Sequence, residues 1–277
     1  MTLPNLLIIG SQKCGTTSLH DILSEHPQTN MSKKKEVRFF TKQRLFEKGE
    51  EYYSSYFDTP DKSQIITGES TPSYICHPNT AEKIYKTLGR DIKLVLLLRD
   101  PIKRAYSQYW DSRTRLRQTS RVNKIIEKYL TDEYCPDIRG YFSRGVYIKY
   151  INEYLNFFDK DQLHIIIFEE LIKNQNLELR KLYSFLNINP ELGLQELPEA
   201  SNVTGIYNNI FYKFFFYNPF YQKFLLRGSR RLLYFGKKIK FKYTIPDGND
   251  LDKLKNFYKP YNQSLEEYLG TPLKHWI

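Results

Sequence analysis

The sequence predicts an α/β fold in which helices flank a central, mainly parallel sheet. An apolar run at 6–9 leads through a glycine-bounded loop into a helix that starts at Thr17. The unbroken apolar run Leu94 to Leu98 is typical of a strand that is buried on both faces of a parallel sheet. A third apolar strand, Leu163 to Phe168, stands between helical stretches. This alternation of strands and helices indicates a doubly wound, three-layer arrangement.

Length and composition predict one domain over residues 1–277. The chain has no Pro/Gly/Ser-rich linker, no low-complexity segment and no internal repeat. Its 42 lysines and arginines exceed its 31 acidic residues and give a net charge of +11, which favours anionic ligands. Because acids are interspersed with bases over most of the chain, we expect no nucleic-acid partner.

Cysteine and histidine spacing predicts neither a disulfide framework nor a metal site. The cysteines form no metal-binding pairs, and no histidines fall at ligand spacing. The N-terminus has no basic segment, and its apolar run is interrupted at Gly10, so we expect no signal peptide and no transmembrane anchor. The resulting expectation is a cytoplasmic protein. The cysteines are Cys14, Cys76 and Cys135.

The loop from Gly10 to Gly15 is the first candidate functional element. Glycines let backbone N–H groups close around an anion, the following helix N-terminus adds partial positive charge, and Lys13 adds a full charge. The Gly-x-x-x-x-Gly spacing makes the predicted fold P-loop-like, but Thr16 replaces the lysine that normally follows the second glycine. This argues against an ordinary ATPase or kinase. The alternative is a simple turn in which Thr16 or Thr17 caps the helix.

The remaining elements follow in chain order. The first helix is predicted to end at Glu25, before His26-Pro27. A strand begins at Ile65-Ile66, and Asp100-Pro101 starts a helix with an N-cap and a first-turn proline. Further helices are predicted over 52–57, 78–88, 113–130, 146–158, 174–186 and 251–269.

The stretch Lys33 to Phe40 carries a candidate base. Three lysines lead into Val37, Phe39 and Phe40, which are expected to be buried, so Glu36 is predicted at the boundary between polar surface and core. The surrounding cations favour its ionised form, which suits a base more than an acid. The alternative that Glu36 only pairs with a neighbouring lysine stays open.

A second anion site is predicted at the end of the Leu94–Leu98 strand. In open α/β sheets, ligands lie beyond the carboxyl ends of the strands, so Arg99 is expected to face the same crevice as the glycine loop. Arg104 and Ser107 share one face of the next helix and can supply further donors. Taken singly, Arg99 could form a salt bridge and Ser107 could be an ordinary surface serine.

The stretch 206–246 contains no acidic residue and mixes phenylalanines with basic side chains. It could follow an acidic polymer or lie on an anionic membrane, with residues 207–243 making a peripheral contact at the inner membrane face. The alternative is a core helix followed by a basic surface. The residues concerned are Phe211, Phe214, Phe215, Phe216, Phe220, Phe224, Arg227, Arg230, Arg231, Lys237, Lys238, Lys240 and Lys242.

The chain resembles the sulfotransferases that use 3′-phosphoadenosine 5′-phosphosulfate (PAPS), and within them the carbohydrate branch typified by heparan sulfate N- and 3-O-sulfotransferases. Residues 12–19 resemble that branch's 5′-phosphosulfate loop, Lys35 to Phe40 its Lys-Glu-x-His-Phe-Phe motif, and Leu98 to Ser107 its 3′-phosphate motif. The three motifs occur in the family's order, and the resemblance covers essentially the whole chain.

This resemblance implies a role for each motif. Glu36 would take the proton from a hydroxyl or amine of a glycan or glycolipid acceptor, while Lys13 would stabilise charge on the leaving oxygen. PAPS would be the donor and adenosine 3′,5′-bisphosphate (PAP) the product, with no metal. The 5′-phosphosulfate would be held by Lys13, Cys14, Gly15, Thr16, Thr17 and Ser18, and the 3′-phosphate by Arg99 and Ser107.

Three departures from the family pattern concern mainly the acceptor. Arg38 replaces the histidine of the Glu-x-His motif, and Ser70 stands where lysine is common. The family's lysine-glycine-arginine loop, which closes over the nucleotide near the C-terminus, has no clear match here, although Lys240 or Lys242 could replace it. Acceptor contacts are predicted from Arg38, Ser70, Arg144 and Tyr147.

Two alternative functions remain open. One is a P-loop kinase or ATPase, against which the missing lysine after Gly15 counts. The other is a non-enzymatic protein that binds polyanions or membranes through its basic region at 223–242. The sequence names neither the acceptor nor the oligomeric state.

Overall fold

The computed structural model describes residues 1–131, 140–193, 205–218, 220–221, 232–235, 237–241, 243, 245 and 248–276. The chain divides into two compact units, Met1–Arg99 with Tyr147–Ser201 and Asp100–Val146 with Asn202–Ile277. Cys135, Lys242 and residues 222–231 of the acid-free stretch lie outside the described residues. One domain over 1–277 stays a prediction.

Five parallel strands form a sheet among the described residues of the first unit, in the order β2-β3-β1-β4-β5. The central β1 and its neighbour β4 are the two unbroken apolar runs of the sequence, which explains their inner positions. The strands are β1 (Leu6–Gly10), β2 (Thr29–Met31), β3 (Ile66–Ser70), β4 (Lys93–Leu98) and β5 (Leu163–Ile167).

Helices accompany these strands in the first unit and close its core. On one face of the sheet, alternate side chains of β1 and β4 pack with leucines of α1 (Thr16–Glu25) and α9 (Gln175–Leu186). The side chains on the opposite face of these two strands are also buried. The predicted α/β class with a flanked parallel sheet is therefore confirmed. The helices are α1 (Thr16–Glu25), α2 (Gln43–Phe46), α3 (Gly49–Ser54), α4 (Thr80–Leu88), α7 (Tyr147–Leu155), α8 (Phe168–Lys173) and α9 (Gln175–Leu186).

The second unit is mainly helical in its described residues. Asp100 caps its first helix, α5, by accepting bonds from the backbone N–H groups of Ile102 (2.8 Å) and Lys103 (2.9 Å), as the Asp-Pro sequence predicts. The short strands β6 and β7 pair in antiparallel fashion. The elements are α5 (Pro101–Thr114), α6 (Val122–Thr131), β6 (Gly205–Tyr207), α10 (Ile210–Tyr217), β7 (Lys238–Lys240) and α11 (Asn249–Leu269).

The predicted continuous helix over 113–130 is wrong. The chain leaves the helix after Thr114 because Leu116 adopts a left-handed φ of 51° and is fully buried against Tyr212 and Phe216 of α10. Burial of this side chain outweighs the local helical preference. Strand β2 was missed because three residues carry too little periodicity, and α3 begins three residues before the predicted start.

None of the helices within the described ranges combines the length and the apolar composition that a membrane-spanning helix needs.

Candidate active site

The carboxyl ends of three neighbouring strands meet at one edge of the sheet. β1 lies between β3 and β4, and all three run parallel, so the loop after β1 lies between the ends of its two neighbours. Backbone bonds join them: Ser11 N–H donates to Leu97 O (2.8 Å), and Thr71 N–H donates to Ile8 O (3.1 Å). This is the edge at which ligands of open α/β sheets bind.

The loop after β1 depends on Gly15. Gly15 has a φ of 91°, and a Cβ there would lie 2.9 Å from the Phe168 ring, so a larger residue would be both strained and crowded. Among the described residues, no side chain caps α1, and its first turn holds no acid. The alternative of a threonine cap is therefore not observed, and the first-turn N–H groups face the loop without a carboxylate among them. Thr17 and Ser18 are half-buried at this helix start.

Arg99 lies directly against this loop. Its guanidinium donates to Lys13 O (3.2 Å) and lies over the Phe168 ring, 5.1 Å from the centroid. Its Nε is buried and has no hydrogen-bond partner in the described structure, and the same holds for the Ser11 hydroxyl. A buried donor without a hydrogen-bond partner costs free energy unless a ligand or a water accepts its hydrogen bond. The residues present therefore fit an anion held between the loop and Arg99.

Tyr147 and Cys14 support this arrangement from the interior. The Tyr147 hydroxyl donates to Arg99 O (2.7 Å) and lies 3.9 Å from Cys14 Sγ, and both side chains are buried. Cys14 can therefore serve an anion only through its backbone. Ser70 is fully buried too, with its hydroxyl 3.5 Å from Thr16 O. The acceptor contacts predicted for Ser70 and Tyr147 stay predictions, and burial argues against them.

Glu36 lies at the boundary of surface and core, as its sequence context predicts. Val37, Phe39 and Phe40 are buried, while the Glu36 and Arg38 side chains are 32% and 46% exposed. Glu36 Oε2 accepts bonds from Arg38 Nε (3.0 Å) and Nη2. The carboxylate thus pairs with Arg38, whereas the sequence suggested a lysine.

The backbone around Glu36 is unusual and is held by the end of β3. Glu36 and Arg38 have φ values of 58° and 61°, in the left-handed region that non-glycine residues seldom adopt. Glu36 N–H donates to Ser70 O (3.0 Å), and Arg38 N–H donates to Thr71 Oγ1 (3.1 Å). These bonds fix the candidate base beside the end of β3, the strand that adjoins β1 and the loop after it.

Glu69, in β3, is a candidate site residue that the sequence did not single out. It is fully buried, and its carboxylate accepts bonds from the hydroxyls of Tyr53 (2.9 Å), Tyr74 (2.5 Å) and Thr71 (2.6 Å), and from the backbone of Val37. Burial raises the pKa of Glu69, and these bonds oppose the rise. Since the groups bonded to it all donate, they match the acceptor-only ionised carboxylate.

This buried carboxylate anchors the segment that carries Glu36. Val37, which lies between Glu36 and Arg38, bonds to Glu69 through its backbone. Arg38 N–H bonds to Thr71, whose hydroxyl also bonds to Glu69, so one buried group holds this stretch of backbone both directly and through Thr71. The signal in the sequence was a glutamate within an inner strand. A carboxylate buried there is stable only if it accepts hydrogen bonds from other buried groups.

His20 of α1 gives this region a pH-dependent stability. Burial, helped by the nearby Lys35 charge, lowers the pKa of His20 from 6.5 to about 4, against the opposing effects of Asp21 and the Ser32 backbone. Between pH 4 and pH 6.5, the unfolded chain therefore binds a proton at this histidine that the folded chain does not bind. The stability that this difference provides above pH 6.5 is lost as the pH falls toward 4. We expect this group to reduce the free energy of unfolding by about 3 kcal/mol over that window.

Denaturant unfolding at neutral pH and at acidic pH measures this loss. His20→Gln should remove most of the loss in the free energy of unfolding between neutral and acidic pH. His77→Gln, which changes an exposed histidine, should show the same loss as the wild type. Equal pH slopes in wild type and His20→Gln would contradict the assignment.

The predicted site residues in the second unit are Ser107, Arg104 and Arg144. Ser107 is buried on α5. The Arg104 guanidinium, predicted as a further anion donor, instead donates to Gln108 Oε1 (2.7 Å), Gly140 O (3.3 Å) and Tyr141 O, and is fully buried. Arg144 is half-buried in the short 3₁₀ turn Ser143–Gly145. The ligand roles of Ser107 and Arg144 stay predictions.

Comparison with known families decides what kind of protein carries this site. The family model described as "Sulfotransferase domain" matches residues 3–209. The chain belongs to the sulfotransferase family. This match confirms the resemblance drawn from the three sequence motifs and favours a sulfotransferase over the kinase or ATPase alternative.

Curated relatives and a solved structure agree with this membership. The chain is 28% identical to the membrane-associated sulfotransferase kil1 of Dictyostelium discoideum over 68% of this chain and 57% of that protein. It is also 28% identical to heparan sulfate glucosamine 3-O-sulfotransferase 5 of Mus musculus, over 98% of this chain and 73% of that one. A sulfotransferase from Alicyclobacillus acidocaldarius shares the fold, with a TM-score of 0.69, 23% identity and coverage of 100% and 99% of the two chains. The chain thus spans little more than half the length of kil1.

Proposed function

We propose that this sulfotransferase moves a sulfuryl group from PAPS to a hydroxyl, or alternatively an amine, of a glycan or glycolipid. The observation that carries the proposal is the placement of Glu36 beside the anion loop. Glu36 is bonded to Ser70 at the end of β3, the strand next to β1, from which the loop with Lys13 emerges. A base and an anion-binding loop on adjacent strand ends are what sulfuryl transfer requires.

The loop and Arg99 fit the donor. PAPS supplies the sulfuryl group and carries phosphates that need several N–H donors. The open first turn of α1, the buried Arg99 Nε and the Lys13 ammonium supply such donors. Lys13 would stabilise the charge that develops on the leaving oxygen, and PAP would be released.

Glu36 would accept the proton of the acceptor hydroxyl as the new oxygen–sulfur bond forms. The bonds that Arg38 donates to Glu36 Oε2 hold this carboxylate in place. In place of the family's histidine, Arg38 gives this base a guanidinium neighbour whose planar group can donate several hydrogen bonds. The half-exposed Arg38 guanidinium is also suited to contact an acidic group of the acceptor.

The acceptor class rests on the relatives. The mouse protein is named for heparan sulfate glucosamine, and a glycan acceptor for the present chain follows by similarity. The net charge of +11 is compatible with an acidic glycan. A cytoplasmic location stays a prediction, as do the absence of a metal and of a nucleic-acid partner.

Calorimetric titration with PAP tests the donor site without knowledge of the acceptor. We expect PAP to bind without Mg²⁺, and Arg99→Gln to weaken binding by about 10- to 100-fold because charge-assisted bonds are lost. The exposed Arg90→Gln variant is the matched control and should bind as wild type does. Binding of ATP that needs Mg²⁺, with no binding of PAP, would instead favour the kinase alternative.

A further inference from the structure

Helix α10 presents two apolar faces, of which only one is buried. Tyr212 and Phe216 point inward and pack with Leu116 and Ile206. The opposite face is exposed: Ile210 by 77%, Phe211 by 61%, Phe214 by 47% and Tyr217 by 63%. At 100° per residue these four side chains form one stripe, and α10 is therefore unlike an ordinary surface helix with a polar outer face.

Neighbouring segments extend this exposed stripe. The Asn209 amide caps α10 through Tyr212 N–H (2.7 Å) and donates to Leu233 O (3.0 Å) and Phe235 O (2.8 Å), which holds 232–235 beside the start of the helix. Leu232 and Phe235 are exposed there. After the C-terminal end of α10, Phe220 and Tyr221 are exposed as well, and the Tyr221 ring lies 5.3 Å from that of Phe214.

Basic side chains border these apolar residues. Asn208 N–H donates to Lys237 O (2.9 Å), and the following strand β7 exposes Lys238 and Lys240. Lys213 lies at the edge of the α10 stripe and bonds to Asn208 Oδ1 (2.5 Å). No acidic residue occurs anywhere from 206 to 246, so nothing in this stretch of sequence neutralises the lysines.

We propose that this surface docks the protein peripherally on an anionic lipid bilayer. We define the aromatic-basic surface as Ile210, Phe211, Phe214, Tyr217, Phe220, Tyr221, Leu232 and Phe235 together with Lys213, Lys237, Lys238 and Lys240. The phenylalanines and tyrosines would enter the headgroup region, and the lysines would pair with lipid phosphates and carboxylates.

The composition of the surface favours lipid over a protein partner. Protein interfaces are enriched in aromatic residues but depleted in lysine, whereas a lysine-bordered aromatic stripe is the pattern of helices that lie in the membrane interface. Contiguous exposed apolar patches of this kind mark interaction sites. The proposal does not depend on the catalytic role of Glu36 or on PAPS, because all of its residues belong to the second unit.

Flotation of the full chain with vesicles tests the proposal. We expect binding to vesicles of phosphatidylcholine mixed with phosphatidylserine, and much weaker binding to phosphatidylcholine alone or at high salt. Phe211→Ser with Phe214→Ser should lower the partition coefficient by about a hundredfold, roughly tenfold for each ring. Lys237→Gln with Lys238→Gln should lower it by about tenfold at low salt and little at high salt.

Matched controls change exposed residues of the first unit. Ile172→Ser with Leu177→Ser removes side chains that are 50% and 53% exposed, and Lys149→Gln with Lys173→Gln removes two exposed charges. Both pairs should float as the wild type does. PAP binding should be unchanged in every variant, which separates this proposal from the donor site.

Three results would overturn the proposal. They are no flotation with anionic vesicles, equal flotation of the Phe211/Phe214 variant, and flotation that ignores lipid charge. Sedimentation velocity examines the main competing occupant, a second copy of the chain. If the protein self-associates, fails to bind lipid and becomes monomeric in the Phe211/Phe214 variant, the surface is a contact between copies.

Discussion

Glu36→Gln is expected to lower the rate of sulfuryl transfer by about a thousandfold, because glutamine keeps the size of the side chain but cannot accept the acceptor's proton. The amide oxygen can still accept the bonds from Arg38, so the local structure should persist. We expect PAP affinity to be unchanged, since the donor site proposed above consists of the loop after β1 and Arg99, which contact each other. The effect should therefore appear in kcat, measured as PAP formation with a glucosamine-containing glycan.

The ion pair with Arg38 does not prevent Glu36 from acting as a base. Partly exposed pairs contribute only about 1 kcal/mol or less, so acceptor binding can displace the guanidinium at small cost. Glu50→Gln is the matched control, because Glu50 is an exposed carboxylate of the same unit. Full transfer activity in the Glu36→Gln variant would show that another group takes the proton, and equal losses in both variants would point to a general charge effect.

Glu69→Gln is expected to lower the free energy of unfolding by about 3 kcal/mol. The substitution places an amide N–H₂ where the carboxylate accepts hydroxyl donors, and a buried donor without an acceptor costs about 1–3 kcal/mol. Tyr53→Phe removes one donor and keeps the carboxylate, so its smaller loss of about 1 kcal/mol provides a graded comparison. Chemical denaturation measures both changes.

The same substitution separates a positioning role of Glu69 from a purely structural one. At a temperature where Glu69→Gln remains folded, we expect kcat to fall while PAP affinity stays unchanged, because Glu69 holds the backbone that directly follows Glu36 through Val37 and through the Thr71 partner of Arg38. Glu178→Gln is the control, since Glu178 is 8% exposed and bonded to Lys181 (2.6 Å). A folded Glu69→Gln variant with wild-type kcat would limit Glu69 to a role in stability.

Much of the first unit was predictable because its signals are local. The apolar runs at 6–9 and 94–98 specify buried strands on their own, and the Asp100-Pro101 pair specifies a helix start. The glycine loop predicted an anion site for the same reason: glycine spacing reports backbone geometry directly. The helix over 113–130 was wrong because Leu116 responds to a distant partner, α10, that no local pattern reveals.

By itself, the sequence determined the α/β class and the sulfotransferase family and predicted the glycine-bounded loop as an anion site, since each depends on short motifs in a fixed order. Only the tertiary structure showed that Glu36 pairs with Arg38, that Glu69 anchors its segment and that α10 exposes an aromatic face. These features depend on which distant segments fold against one another and on which faces they leave uncovered. Side-chain partners and exposure are set by that packing, and spacing along the chain does not encode them.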